Sequence, residues 1–291
     1  MGRPASRGGI AARGRAAKFF DNFPRITVVR AIAQHRPDLP QVACFDTGFH
    51  HGQPDVARRI ALPQTLETQG LRRYGFHGIS YEYIARQLEE RDPARAGGRV
   101  VAAHLGNGAS LCAMRNGRSM DTTMGFTALD GLVMGTRCGA IDPGILIYLM
   151  QQGMSLSALE HLLYSESGLL GVSGLTSGMR TLLSSHDERA AQAVDLFVYR
   201  IVRETGALVA ILGGLDTFVF TGGIGENAAE IRARVAAGLS WLGAKLNPAA
   251  NGRGDAVISA PDSKIRLLVI PTDEERMIAL HTDAVLNGLN P

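Results

Sequence analysis

The 291 residues, 45% hydrophobic and 20% charged, have the size and composition of an ordinary globular protein, enough for one large domain or one domain with part of another. No apolar run approaches the ~20 residues a membrane span needs. Cys44, Cys112 and Cys138 are widely spaced without CxxC spacing, which argues against a disulfide framework or zinc site and suggests a reduced, cytoplasmic setting. The net charge of +3 is uneven. Residues 1–20 hold Arg3, Arg7, Arg13, Arg15 and Lys18 and no acid; setting these five of the 30 basic residues aside leaves 25 against 27 acidic, or −2. Such an arm can touch nucleic acid or resemble a targeting peptide. Without interleaved aromatics or an apolar signal core, it reads as a disordered leader.

Val28, Val29, Ile32 and Ala33 give residues 19–40 a short helical pattern that ends before Pro37. Residues 41–45 read as a buried strand closed by Asp46-Thr47-Gly48. A carboxylate at a strand end faces a ligand as readily as it forms a turn or caps a helix. In residues 71–80, LRRYGFHGIS, His77 sits between Gly75 and Gly78 in a loop before a helix. That setting suits a ligand-facing histidine better than a helix face does. Ser80 is the expected N-cap of a helix over 81–90.

Residues 99–110, RVVAAHLGNGAS, are the centre of the reading. An apolar run stops at His104, and Gly106-Asn107-Gly108 follows. Asn-Gly between apolar runs signals a hairpin; glycines there also let backbone N–H groups approach a phosphate. A second Asn-Gly at 116–117 predicts three consecutive antiparallel strands over 100–105, 109–115 and 118–123. Residues 124–143 are too Gly-rich for a helix and too apolar for a linker, so they form a folded loop. Its Arg137 suits a carboxylate or phosphate through its planar fork, or else pairs with Asp142. Asp142 and Pro143 then start a helix as N-cap and N1.

Residues 155–164 form another short helix and 165–180 a second Gly/Ser loop. A long helix over 187–212 turns Ala190, Val194, Phe197, Ile201, Leu208 and Ile211 toward the core. Phe218-Val219-Phe220 is a strand running into Gly222-Gly223-Ile224-Gly225, with Asn227 capping a helix. A strand, a glycine turn and a helix N-terminus make an anion platform; GxGxxG and GxxxxGK[ST] are both absent. After a last strand at 265–270, Asp273, Glu274 and Glu275 open a helix. They complement its dipole, or ligate a Mg²⁺ that holds nucleotide phosphates. The residues alone describe an α/β protein whose glycine loops meet at strand ends, a phosphate or nucleotide site.

Seven segments, in order, resemble the acetate kinase family, the acetate and propionate kinases of the acetokinase group. They are CFDTGFH (44–50), RRYGFHGIS (72–80), HLGNGAS (104–110), MGFTALDGLVMGTRCGAIDP (124–143), GVSGL (171–175), FTGGIGEN (220–227) and IPTDEE (270–275). The resemblance implies two actin-like (ribonuclease H-like) halves with ATP between them. It implies Mg²⁺- (or Mn²⁺-) dependent transfer from ATP to acetate, giving acetyl phosphate and ADP. By position it makes Asp46, His77 and Arg137 catalytic, the last two stabilising the transition state. His104, Leu105, Gly106, Asn107 and Gly108 become the phosphate loop. Gly178, Met179 and Arg180, with Gly223, Ile224, Gly225, Glu226 and Asn227, become nucleotide loops. Phe76 and Ala128 line the substrate pocket, and Glu274 holds the metal. A cytoplasmic homodimer without nucleic-acid or membrane partners is expected.

The departures from that family's pattern shape the expected organisation. No counterpart exists for an opening NxGSSSxK segment or the arginine after it. Asp21 stands where an active-site histidine belongs and would repel acetate and phosphate. Ala128 replaces a pocket proline, and Ser177-Gly178-Met179-Arg180 replaces NDFR. The expected parts are therefore a leader (1–20), a remnant of a largely missing N-terminal actin-like domain (21–48) and a complete C-terminal nucleotide-binding domain (49–275). A helix (276–291) would return to the N-terminal domain. A nucleotide-binding remnant without turnover, and a propionate or butyrate kinase, are the other readings these departures leave open.

Overall fold

A computed structural model describes residues 24–93 and 97–288; the basic leader and Asp21 lie outside the described residues. In chain order the elements are α1 (Pro24–His35), a 3-10 turn (Gly48–His50), α2 (Asp55–Arg58), α3 (Gln64–Glu67), α4 (Gly78–Arg91), β1 (Arg99–Leu105), β2 (Ala109–Arg115) and β3 (Arg118–Thr122). There follow α5 (Pro143–Gln151), α6 (Leu156–Ser165), α7 (Gly168–Ser173), α8 (Met179–Ser184), α9 (Glu188–Leu212), β4 (Thr217–Thr221), α10 (Gly222–Asn227), α11 (Ala229–Gly238), α12 (Pro248–Arg253), β5 (Arg266–Val269) and α13 (Glu274–Leu286).

The chain divides into two compact units: residues up to Ala43 with Arg59–Arg72, and Cys44–Arg58 with everything from Arg73 onward. This division differs from a boundary at 48/49. The smaller unit carries α1, whose Val28 and Val29 are exposed. The strand expected over 41–45 does not form. A strand needs a neighbour to satisfy its backbone, and this run has no ladder partner among the described residues; Gln41 instead donates through its side chain to the Val29 carbonyl at 3.1 Å. Phe45 is 73% exposed.

The larger unit is built on one sheet of order β3-β2-β1-β4-β5. β1, β2 and β3 form the expected antiparallel meander, and β4 and β5 join parallel to β1. Side chains alternate across a strand, and here both faces are apolar. Val101, Ala103, Leu105, Leu111, Phe218, Phe220 and Leu267 pack with α9. Val100, Ala102, Cys112, Met114, Val219 and Leu268 pack with Tyr81, Ile84 and Leu88 of α4 and Met277 of α13. Each fully buried Val, Leu, Ile, Phe or Met among them stabilises the fold by about 1.5–3 kcal/mol. The C-terminal helix therefore belongs to the α4 face of this unit. Of the α9 residues expected in the core, Ile211 is half-exposed.

Helix ends match the sequence where a local side chain does the capping. Asp142 accepts from Gly144 N–H at 2.8 Å and Asp187 from Arg189 N–H at 2.8 Å. Two expected caps are corrected. α4 begins at Gly78 with His77 as N-cap, leaving Ser80 inside its first turn. α10 begins at once after β4, so Asn227 ends that helix, and the N-cap of α11 is Ala228. For α4 a distant group, Asp46, satisfies the first turn, a solution local sequence cannot reveal; α11 has no side-chain cap. None of the described helices is long and apolar enough to cross a membrane.

Candidate active site

The site lies where β1 and β4 end, the edge at which open α/β sheets bind ligands. Parallel pairing sets His104 beside Thr221, so the Gly106-Asn107-Gly108 loop after β1 adjoins Gly222 at the start of α10. Gly222 has φ +75, and a Cβ on it would lie 2.9 Å from the Leu105 carbonyl oxygen; only glycine fits. Asn107 reaches the 124–143 loop: its carbonyl accepts from Gly135 N–H at 2.9 Å, and its side chain lies over Gly135 together with Ser177. Two of the sequence-predicted loops and the start of α8 thus meet around Asn107.

Gly108 marks the chemical centre. A Cβ there would lie 2.7 Å from Arg137 Nη2 and 3.1 Å from His77 Nε2, so both side chains face the phosphate loop. Arg137 is not paired with Asp142, which caps α5. Its Nη1 donates to the Ala128 carbonyl at 2.7 Å. Burial lowers its pKa from the usual arginine range; a cation partly desolvated in this way is stabilised by an incoming anion.

His77 is held in a left-handed conformation, φ 57, uncommon for a residue with a side chain. Asp46 holds it there. The Asp46 carboxylate accepts from His77 N–H at 2.7 Å, and its backbone carbonyl accepts from Gly78 N–H at 2.7 Å. The residue read both as ligand-facing and as a cap does cap α4, across 31 positions. The His77 ring stacks on His104, with centroids 4.2 Å apart and planes 18° apart. Burial drives both imidazoles down to about 3; Arg137 pushes His77 further in that direction, and His77 does the same to His104. Both rings are neutral near pH 7.

Glu274, in the first turn of α13, is half-buried. Its carboxyl is raised first by burial and then by the charge of Asp46. Among the described residues no arginine or lysine pairs with either carboxylate. A divalent cation fits that uncompensated pair. No cluster of three or more His, Cys, Asp or Glu among the described residues could hold one unaided, so water and phosphate oxygens would complete its shell.

Other predicted residues act through backbone or structure. The side chains of Leu105 and Met179 are buried in the core. Glu226 accepts from Gly222 N–H at 2.8 Å and Thr272 N–H at 3.1 Å, tying α10 to the loop before α13. Asn227 donates to the Gly223 carbonyl. Gly178 caps α8, with Arg180 exposed in its first turn. Phe76 and Ala128 are partly buried against the main core. The sequence reading passed over His50, Tyr81, Ser110 and Thr272, and read Ser80 only as a helix cap. Ser80 Oγ lies 2.9 Å from His104 Nδ1 and 2.8 Å from Thr272 Oγ1. Buried His50 donates from Nε2 to the Phe76 carbonyl and accepts from Ser119. The signal for Ser110 was period-two alternation, which sets it on the α4 face with Cys112 and Met114.

An actin-like ATPase fold with an arginine and a histidine facing a glycine loop at its strand ends defines a phosphotransferase. A family model described as the acetokinase family matches residues 16–280, and the chain belongs to that family. It is 58% identical to an acetate kinase of Rhodopseudomonas palustris over 90% of this chain and 67% of that one. It is 55% identical to an acetate kinase of Methylocella silvestris over 87% and 63%. A crystal structure of Porphyromonas gingivalis acetate kinase aligns with a TM-score of 0.84 at 39% identity, covering 90% of this chain and 68% of that one. A propionate kinase from Francisella tularensis aligns at 0.83 and 39%, covering 87% and 67%. The chain spans about two thirds of the length of these relatives.

Proposed function

We propose that the chain transfers the terminal phosphoryl group of ATP to acetate, reversibly, giving acetyl phosphate and ADP. The observation that carries this is the convergence of Arg137 Nη2 and His77 Nε2 on Gly108. A carboxylate is a weak nucleophile, and in-line transfer spreads charge over three equatorial oxygens. Backbone N–H groups of Asn107 and Gly108, in the loop that the Gly106 N–H closes onto the Gly108 carbonyl, grip the terminal phosphates. Arg137 and His77 donate to the equatorial oxygens, each such donor being worth ~3 kcal/mol. Gly178–Arg180 and Gly223–Asn227 hold the nucleotide, while Phe76 and Ala128 receive the acetate methyl group. Asp46 fixes the backbone of His77 and, with Glu274, would hold Mg²⁺. When bound, Mg²⁺ neutralises charge on the phosphates.

The three free cysteines suit a reducing cytoplasm. A homodimer is supported by α5, whose Ile145, Ile147, Tyr148 and Met150 are all exposed in a stretch without charge from Pro143 to Leu159. Exposed apolar patches of this kind mark association surfaces, and Ile147→Glu is expected to shift sedimentation from dimer to monomer.

The direct test is acetyl phosphate formation by the 291-residue chain from ATP, Mg²⁺ and acetate, with ADP binding measured in parallel. Turnover supports the assignment. Binding of ADP with no turnover, or a higher kcat/KM for propionate or butyrate than for acetate, contradicts it.

A further inference from the structure

His77 meets the phosphate loop through Nε2, so the tautomer of its ring decides whether it gives or takes a hydrogen bond there. The other ring nitrogen, Nδ1, lies 2.8 Å from Ser110 Oγ. Ser110 Oγ is also hydrogen-bonded to the Tyr81 hydroxyl. Ser110 and Tyr81 are both fully buried, so each proton must go to a protein acceptor.

Each hydroxyl has one proton to give. Among the described residues the Tyr81 hydroxyl has one hydrogen-bond partner, Ser110 Oγ, so its proton has one acceptor. Burial holds the phenol well above its ordinary range, so it keeps its proton. Ser110 receives that bond and sends its own proton to its remaining partner, Nδ1 of His77. The reverse orientation would strand the Tyr81 proton without an acceptor and cost an unsatisfied buried donor.

We infer that Tyr81 and Ser110 form a one-way hydrogen-bond relay that holds His77 in the Nε2–H tautomer, aiming its one N–H at the phosphoryl group on the Gly108 loop. Both are positioning residues: Ser110 touches the ring, Tyr81 acts on it through Ser110, and neither touches the substrate. The inference rests on the assignment of His77 to phosphoryl transfer. The stack with His104 at 4.2 Å fixes the ring plane. The left-handed backbone pinned by Asp46 fixes where the ring starts. The relay fixes which nitrogen carries the hydrogen.

The test is the two-bond ¹H–¹⁵N spectrum of the full chain labelled in histidine, at pH 7, with the His77 signals assigned by their loss in His77→Gln. The wild-type ring is expected to show protonated Nε2 and bare Nδ1. Tyr81→Phe, which keeps the aromatic ring, is expected to populate the Nδ1–H form and to lower kcat by ~10–100-fold, the usual scale for losing an orienting partner, with little change in the KM for ATP. Ser110→Ala should do the same, and Ser110→Thr should restore the tautomer. A purely structural role would lower the melting temperature and leave the tautomer unchanged. A wild-type ring protonated at Nδ1 overturns the relay, as does a folded Tyr81→Phe with unchanged tautomer and kcat; if that variant fails to fold, the wild-type spectrum decides. Full acetyl phosphate formation by His77→Ala would instead overturn the functional assignment, and the spectrum would still judge the relay.

Discussion

Two Asn-Gly turns lie nine residues apart on the same sheet, and they do different work. At Asn116-Gly117 both residues have positive φ, 53 and 68. This is the two-residue turn whose twist matches antiparallel strands, and it joins β2 to β3. At Asn107-Gly108 neither Gly106 nor Gly108 has positive φ; the loop is wider, with Gly106 N–H donating to the Gly108 carbonyl at 2.9 Å. A Cβ at 117 would meet nothing nearer than Ala85 Cβ at 4.0 Å, whereas one at 108 would press on Arg137 and His77. One glycine is required by the backbone, the other by the close approach of two side chains. The same dipeptide is a hinge in one place and the floor of a phosphate site in the other.

Breaking the two turns separately should therefore give opposite phenotypes. Gly108→Ala displaces the flexible ends of Arg137 and His77 and is expected to lower kcat by ~100-fold or more, with little loss of stability. Gly117→Ala is expected to cost about 1–2 kcal/mol in chemical denaturation, the penalty for a left-handed alanine, with kcat retained. Next in size, Arg137→Lys keeps a charge but loses the planar fork; it should lose ~10–100-fold in kcat/KM, and an unchanged value would sink the bidentate role. Phe76→Ala should raise the KM for acetate by ~10-fold, the worth of a small apolar contact, with kcat preserved. The smallest change sharpens the contrast from outside the site: Asp142→Ala removes the N-cap of α5 and should cost ~1 kcal/mol without altering turnover.

Acid should also act on the two regions differently. His77 and His104 sit at about 3 in the folded chain, below the ~6.5 of an exposed histidine. The unfolded chain thus binds more protons between those values, and stability rises with pH across the window. The contribution is complete above ~6.5 and is lost as pH falls toward 3, with a slope of about 1.4 kcal/mol per pH unit for each ring. Buried His50 is lowered too and acts in the same direction. The 116–117 turn has no such group. Urea midpoints between pH 7 and 4 should fall in the wild type and fall less in His104→Gln.

The meander, α9 and Asp142-Pro143 at the start of α5 were legible in the sequence, because their signals are local: period, turn dipeptide and, for α5, the capping side chain. The site was legible as a set of segments. His77, Arg137 and Gly108 were named, but nothing in the chain order says that they lie within contact of each other. Failures fell where a distant group replaced a local one. Ser80 looks like an N-cap, yet Asp46 supplies that function, and Ser80 turns to His104. Residues 41–45 have the composition of a strand without the neighbour that would make one. Ser110 and Tyr81 were read as strand and helix filler, since a relay of hydroxyls leaves no spacing pattern.

The central claim is that Arg137 and His77 face a phosphoryl group held by Gly106–Gly108. The measurement that tests it most directly compares acetyl phosphate formation by the wild-type chain and by Arg137→Ala, with ADP affinity determined for both. The account predicts turnover by the wild type, loss of at least ~100-fold in the variant, and similar ADP affinity. Undiminished turnover in the variant, or none in the wild type, would contradict it.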